Sequence, residues 1–598
     1  VTYQSLNETV ATVSADGVIT AKAMGVTTIV VKDGLSNKVT TVEVSVLENG
    51  AIATPKVVSG INHTVALKAD GTVWTWGYNH HGQLGDGTTK SSYIPQKIGL
   101  TDVIDVAAGD HFSMALKKDG TIWVWGVNDR GQLAQGNTVE SLTPVPVKGV
   151  NGDPLPKAKK ITACRFQWLA ILETGEVVGC GSNTGSILGD GTSTDKHLPV
   201  YMLDHTGSAH VKEVKDIGIG QCESFIVKED GTIWSVGHNC AGGMGVGNTS
   251  AYSKIRQVQD TTGTGVLTNI IQVSCGGWYN LALDANGNVW AMGRNKEGEL
   301  GINNTTNQTR PQKVLGVNGT GYLENIVRIE AGYYSSFAID KAGNVYGWGY
   351  NNNGQLGINN TTTQKVPKQV LAGATGGNLD DVMFVSSNGY HTTFVKYDGT
   401  VWTTGYNGNG ELGNDSTVKR LTVECISNPR LEVDQKYLLF GPNIGETKKV
   451  NVKVNSGFNL LTDTVPAGAN TYKSLNTSIA QVDQNGNVTS TGSGTTYIKI
   501  TNDTLGLATT VKVVVPYRDG MIVPKIVGGA NHYVALKSDG TVWTWGYNGY
   551  GQLGIGNTEK QLEPVKTNMT DVIDIAAGTN YTAVLKRDGT VWVTGQNN

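Results

Sequence analysis

Apolar and polar positions alternate along this chain in short runs. "TVWTWG" from Thr72 and "TIWVWG" from Thr121 place every second side chain on one face, the period of a strand with one buried side. Asp-Gly pairs separate many of these runs, as in "ADGTV" and "KDGTI", and a tight hairpin turn that needs positive φ favours that pair. The strand–turn–strand unit recurs with its turn glycine at Gly71, Gly120, Gly175, Gly231, Gly287, Gly343 and Gly399, and its spacing settles at 56 residues. Two more units follow at Gly540 and Gly589. Helical periodicity is nearly absent, and the 79 glycines suit an all-β chain of tight turns. A period of this size predicts stacked supersecondary units, and four-stranded sheets set radially bury their faces against each other while leaving only short edges.

A longer period encloses the shorter one. "TYQSLNETVATVSADGVIT" at Thr2 matches "TYKSLNTSIAQVDQNGNVT" at Thr471, and "PKVVSGINHTVALKADGTVWTWGYN" at Pro55 matches "PKIVGGANHYVALKSDGTVWTWGYN" at Pro524, both 469 residues apart. The expectation is one full period of a tandem array plus the start of the next. The chain opens at Val1 partway into one module and stops at Asn598 partway through another, as a window on a longer polypeptide would.

Each unit reads G-x-x-H-x-x-A-L, then D-G, then T-V-W-x-W-G-x-N-x-x-G-Q-L-G. On these residues the units resemble the regulator-of-chromosome-condensation repeat, whose members form seven-bladed β-propellers. The resemblance covers about 51–427 and 520–598, and seven units before the interruption is the number such a ring needs. The third unit departs most: "TGEVVGCGSNTGSILGDG" lacks both tryptophans, so weaker packing is expected there. Between the two stretches, "SIAQVDQNGNVTSTGSGTTYIKI" resembles the bacterial immunoglobulin-like group 2 domain, a small β-sandwich. The expected fold is all-β, a seven-bladed β-propeller with immunoglobulin-like β-sandwich modules in a tandem array. Residues 1–50 are read as the C-terminal half of a sandwich, 51–427 as the propeller, 428–519 as a whole sandwich, and 520–598 as the first blade and a half of a second propeller.

Charge adds an exclusion. The 47 basic and 50 acidic residues give a net charge of −3, and no Lys/Arg run appears, so the basic face of a nucleic-acid binder is missing. No stretch approaches the roughly 20 apolar residues that span a bilayer. Loops such as "GINNTTNQT" are rich in Asn and Thr. Together with the sandwich resemblance, this points to an extracellular or cell-surface location.

Candidate chemistry is sparse. There is no G-x-S-x-G, H-E-x-x-H, phosphate-binding glycine loop or calcium loop, so no catalytic or metal-ligating residue is assigned, no cofactor is expected, and the chain is read as a non-enzyme. The six cysteines, Cys164, Cys180, Cys222, Cys240, Cys275 and Cys425, show no zinc-like spacing. They are read first as small buried apolar residues, with one or more disulfides, or a metal or catalytic thiol, as alternatives. His63, His391 and His532 share one position of the repeat. In the resembled propellers that histidine is a structural hydrogen-bonding residue; a two-histidine site with Glu223 is the alternative.

The residues just after the inner-strand glycine are expected at one mouth of the ring. Four of them, Trp278, Tyr333, Tyr334 and Tyr390, are the candidate ligand-binding residues, because aromatic clusters suit protein surfaces and stack on sugars; packing between blades is the structural alternative. The favoured function is a non-enzymatic structural or adhesive protein of a bacterial cell surface or extracellular filament, built from repeated propeller–sandwich units in which copies multiply weak binding. Its partners would be protein or glycan ligands or further copies of itself. A secreted inhibitor-like or lectin-like propeller is the alternative.

Overall fold

The computed structural model describes the chain except for residues 24, 35–38, 48–50, 374–375, 427–429, 442–443, 456, 462–468, 504–506, 517–521 and 597–598. The residues on which the expected module boundaries fall (Gly50, Ser427 with Asn428, Asp519 with Gly520) lie outside the described set. Among the described residues the structure is β throughout, apart from one 3₁₀ turn at Val317–Gly319, and no helix is long and apolar enough to cross a membrane. The chain divides into two compact units, Val1–Asn428 with Ser456–Thr464, and Pro429–Asn455 with Val465–Asn598.

The repeat acts first at the turn. In the first hairpin the Asp70 carboxylate accepts the Thr72 N–H at 2.9 Å and its hydroxyl at 2.7 Å, and the Trp74 indole N–H donates to that hydroxyl at 3.2 Å. Gly71 sits at φ +75°, open to glycine at no steric cost. D-G-T-x-W is therefore a self-satisfied turn. Gly77 ends the next strand at φ +99°, where a Cβ would come within 2.6 Å of the Asn62 carbonyl. The register breaks beside it, and the fourth strand pairs across a bulge.

Seven four-stranded antiparallel sheets follow in chain order, each pairing its strands consecutively. Sheet 1 runs Lys56–Lys97, sheet 2 Val103–Pro146, sheet 3 Ala158–Tyr201, sheet 4 Val214–Gln257, sheet 5 Ile270–Lys313, sheet 6 Ile326–Gln369 and sheet 7 Val382–Cys425. The first strands line a central cavity of about 230 Å³. Each seam between neighbouring sheets holds its own buried apolar cluster, and so does the seam between sheets 7 and 1.

Polar fasteners cross the same seams. The fully buried Trp125 indole donates to the Gln83 carbonyl of sheet 1 at 2.9 Å, Trp348 to Glu299 O of sheet 5 at 2.7 Å, and Trp76 to Glu411 O of sheet 7 at 2.8 Å. Sheet 3, where the missing tryptophans lead to an expectation of weaker packing, keeps the same fastener by another route. Cys180 occupies the usual tryptophan position, and its cross-strand neighbour Trp168 is fully buried and donates to Gln132 O at 2.8 Å. The indole has moved one strand over and kept its acceptor.

At six seams the residue just before a sheet bridges two turns. Val103 N–H donates to Gly71 O at 3.1 Å, and Asp102 O accepts Lys118 N–H at 2.8 Å; the pattern repeats through Val382 and Asp381. The seam between sheets 7 and 1 is bridged instead by residues far along the chain. Leu460 N–H donates to Gly399 O at 2.9 Å, and its carbonyl accepts Ala69 N–H at 2.8 Å. Phe458 packs on Trp74 and Trp76 with ring centroids 5.4 and 5.5 Å away. The same turn-bearing end meets the N-terminal strands: Leu6 and Val30 pack on Ile271 and Val327, and Asn7 Nδ2 donates to Tyr397 Oη at 3.0 Å. A three-stranded sheet (Thr2–Ser5, Gly25–Lys32, Val39–Val46) and a two-stranded one (Ala11–Val13, Ile19–Ala21) make up this segment.

In the second unit, three small sheets between Arg430 and Val515 enclose one core of Leu431, Leu438, Phe440, Ile498, Ile500, Val511 and Val513 with their neighbours. A four-stranded sheet at Lys525–Lys566 and a three-stranded one at Val572–Gly595 follow. Lys525 pairs with Asp574 at 2.7 Å as Lys56 pairs with Asp105 at 2.6 Å.

Because Phe458 fills a seam and its deletion leaves a cavity, Phe458→Ala should cost the first unit about 3 kcal/mol. Differential scanning calorimetry should show that unit's transition falling while the second unit's stays in place.

Candidate functional site

In every sheet the loop after the first strand and the loop after the third lie at the same end, opposite the Asp-Gly turns. The second loop is held from inside by the asparagine of W-G-x-N. Asn79, fully buried, receives Leu84 N–H on its side-chain oxygen at 2.8 Å and donates to Thr88 O and Lys90 O at 3.0 and 3.1 Å. Asn128, Asn183, Asn239, Asn295, Asn351 and Asn407 each accept the corresponding N–H. Side chains flanking this lock are therefore presented from rigid loops.

Sheets 5 to 7 present a continuous aromatic arc there. Trp278 stacks on Tyr334 at 5.6 Å and meets Tyr333 edge-on at 5.7 Å, while Tyr333 and Tyr334 are 4.5 Å apart. Tyr350 continues the arc, 6.1 Å from Tyr334 and 6.2 Å from Tyr390. All five are half-buried. The Arg294 guanidinium lies 4.5 Å from the Tyr334 ring centre and 5.9 Å from Trp278, oriented by Glu297 and Glu299. A cation over an electron-rich ring is attracted by its quadrupole, so the arginine stays on the arc. The structure thus brings together all four sequence-predicted residues, Trp278, Tyr333, Tyr334 and Tyr390. Tyr350 and Arg294 belong to the set but come from the other loop; their signal was the position after the glycine that ends each third strand, Gly349 and Gly293.

Further round the same end, Arg165 lies 5.5 Å from the Phe166 ring centre. Beside it Asp110 is buried, which pushes its carboxyl up to about 6 against the pull of Arg165. Tyr78 and His80 are 4.4 Å apart, with His111 5.9 Å from Tyr78. On sheet 4, Cys222 and Cys240 bring their sulfurs to 3.6 Å, with His238 alongside. Hydrogen bonding with Cys222 and the nearby His238 draw the Cys240 thiol below the ordinary cysteine range.

The histidines of the repeat point into seams and do not converge on one site. His63 Nε2 meets Ser113 Oγ at 2.9 Å, His391 Nε2 meets Thr64 Oγ1 at 3.2 Å, and in the second unit His532 Nε2 meets Thr582 Oγ1 at 3.0 Å. Burial holds His63 at about 3 and His391 at about 4, so both rings are neutral at physiological pH. Cys164 and Cys275 line the central cavity, whereas Cys222 turns to Cys240.

The inner strands carry a second series at the repeat period: Lys56, Asp105, Lys160, Asp216, Gln272 and Arg328 line or flank the cavity. Lys56 pairs with Asp105 and Lys160 with Asp216, each at 2.6 Å, and Gln272 exchanges two hydrogen bonds with Ile329. Glu330 lies among them, half-buried, accepting the Ser387 N–H at 3.3 Å. Burial pushes its carboxyl up to about 7, against the Ser387 N–H and the charges of Lys56 and Arg328. Its folded value lies above the ordinary carboxyl range, so the folded state holds a proton that the unfolded chain releases. Stability from this group is complete below the unfolded value, falls as pH rises toward about 7, and is absent above it. Glu330→Gln keeps the acceptor and should flatten this dependence. Melting curves of the first unit should coincide with wild type at pH 4 and sit on the order of 2 °C higher at pH 8.

The RCC1-like domain family matches residues 24–324, and two forms of the regulator of chromosome condensation (RCC1) repeat match 342–395 with 539–585 and 326–355 with 525–552. The intimin immunoglobulin-like domain matches 466–504. The ultraviolet-B receptor UVR8 of Arabidopsis thaliana is 28% identical over 370 residues, covering 61% of this chain and 79% of the receptor. The probable E3 ubiquitin-protein ligase HERC6 of Homo sapiens is 29% identical over 257 residues, but the match spans only 24% of the ligase and 42% of this chain. Among solved structures, yeast RCC1 (Prp20) bound to Kap60 superposes with a TM-score of 0.50 at 16% identity, over 64% of this chain and 86% of that one. That likeness concerns the fold alone.

Proposed function

The chain belongs to the RCC1-like domain family, and from that premise we propose that its seven four-stranded sheets are the blades of one closed propeller that docks other proteins on its loop-bearing face and catalyses nothing. The observation that carries this reading is the aromatic arc of Trp278, Tyr333, Tyr334, Tyr350 and Tyr390 with Arg294. Tyrosine, tryptophan and arginine are the side chains that most often dominate protein interfaces, and here rigid loops hold them half-exposed. Yeast RCC1, solved bound to Kap60, is a protein-binding member of the same fold. The opposite end of the ring is occupied by the chain's own N-terminal strands, which leaves the arc's end for partners.

The wider setting of the proposal is an extracellular or cell-surface protein in which propellers alternate with immunoglobulin-like sandwiches, acting as an adhesive or structural array. Its support is the 469-residue period spanning both kinds of module, the shared core of the sheets between Arg430 and Val515, and the match of 466–504 to the intimin immunoglobulin-like domain. Tandem copies would raise avidity through effective concentration. A glycan ligand is the second reading, because the same rings can stack on sugars.

Protein and glycan arrays should be probed with the wild-type chain and with a Trp278→Ala/Tyr334→Ala variant. The expected result is protein ligands whose affinity falls roughly 30-fold or more in the variant, with its melting transitions retained. Glycan binding abolished by the variant would replace this reading with a lectin. Protein binding indifferent to the variant would move the docking surface elsewhere.

A further inference from the structure

Sheet 4 alone breaks the pattern of the loop-bearing end. Where the other sheets place Asn62, His111, Phe166, Trp278, Tyr334 and Tyr390, it places Cys222; two residues of its second loop are His238 and Cys240. The loops are tied by the His238 N–H, which donates to Cys222 O at 2.8 Å. Between His238 and Cys240 stands the buried, locked Asn239, at φ +57°. The other six asparagines at this position are absent from the left-handed region. The result is three soft or borderline donors, Cys222 Sγ, a His238 ring nitrogen and Cys240 Sγ, all within 4.8 Å of one another.

Their spacing suits a particular ion. Zn²⁺ binds thiolates at about 2.3 Å and imidazole at about 2.0–2.1 Å in a tetrahedron, which sets two thiolate sulfurs about 3.8 Å apart; here they are 3.6 Å apart. A disulfide would require about 2.05 Å. Thiolate and imidazole donors favour Zn²⁺ over hard cations such as Mg²⁺ or Ca²⁺. A second observation is independent of the three donors. They line one cavity of about 320 Å³, and Gln221, on the same wall and only 7% exposed, carries a buried Oε1 with no hydrogen-bond partner. A buried acceptor left unpaired is costly, and a cation or its bound water in this cavity would satisfy Gln221 Oε1.

We propose that Cys222, His238 and Cys240 form a Zn²⁺ site, with the fourth position open to the cavity and filled by water or by Gln221 Oε1. Nothing in the docking reading depends on this site.

The test uses the full chain, reduced and stripped with a chelator, then titrated with Co²⁺ alone and back-titrated with Zn²⁺. One equivalent of Co²⁺ should give a thiolate-to-cobalt charge-transfer band and the intense visible bands of tetrahedral cobalt, both erased by Zn²⁺. Zn²⁺ should also raise the melting point of the first unit, as a ligand bound only by the native state must. Cys240 is exposed, so Cys240→Ser should fold normally yet lose the charge-transfer intensity and bind at least about tenfold more weakly, a loss of about 1.4 kcal/mol. Cys425→Ser should change nothing. The proposal is overturned by cobalt spectra without thiolate character, by spectra unchanged in Cys240→Ser, or by a reduced, stripped chain that takes up no metal and re-forms only a Cys222–Cys240 disulfide.

Discussion

Six of the seven seams between neighbouring sheets share one contact: a donor from one sheet meeting a main-chain carbonyl of the sheet before it. The carbonyls belong to the G-Q-L-G stretch, where the chain turns beneath the next sheet and cannot pair within its own ladder. Trp125, Trp348 and Trp76 supply an indole N–H. Asn280 reaches Gly243 O at 3.1 Å, and Thr404 reaches Gly354 O at 3.0 Å. A buried carbonyl without a donor costs about 1–3 kcal/mol, and six of the seven seams keep a donor while varying the residue; at the seam between sheets 3 and 4 the Ser224 hydroxyl, which stands where Trp168 and Asn280 stand, has no partner. Sheet 3 shows how firm that constraint is, since its indole changes strands and still finds Gln132 O.

That constraint also builds the loop-bearing end. The G-Q-L-G carbonyl is fixed by the neighbouring sheet, and the W-G-x-N asparagine fixes the same loop from inside. Residues between those anchors have little freedom, and so their identities can differ from sheet to sheet without changing the scaffold. An aromatic arc with an arginine occupies one side of the ring, a tyrosine–histidine group another, and two cysteines with a histidine stand between. Function is carried by such differences on a constant frame.

The seam between sheets 7 and 1 follows different physics. Six seams use the residue next in the chain, because a short connection brings it to the turn at little entropic cost. The seam between sheets 7 and 1 has no such neighbour, and Phe458–Leu460 arrive from beyond sheet 7 to bond Gly399 and Ala69. A stretch placed by sequence within the sandwich module thus belongs to the first unit.

The repeat itself was legible because its causes are local. Asp-Gly turns, the W-G bulge and alternating strands depend on φ angles and on neighbours a few residues away, and each recurs in the sequence with its reason attached. The four aromatic candidates were legible for the same reason, since their offset from a repeating glycine fixes which end of the sheet they occupy. Tyr350 and Arg294 were not connected to them, because two loops separated by a strand pair meet only after folding. Cys222 and Cys240 show no metal-like spacing, and Trp168 in sheet 3 gave no sign that it would replace the missing indole, since both depend on cross-strand register. By itself the sequence determined the secondary structure, the period and the end of each sheet on which a residue stands, because those follow from short-range backbone geometry. The tertiary structure decided which side chains meet across seams and loops and which segment bridges sheets 7 and 1, because those contacts join residues whose separation along the chain carries no information about their separation in space.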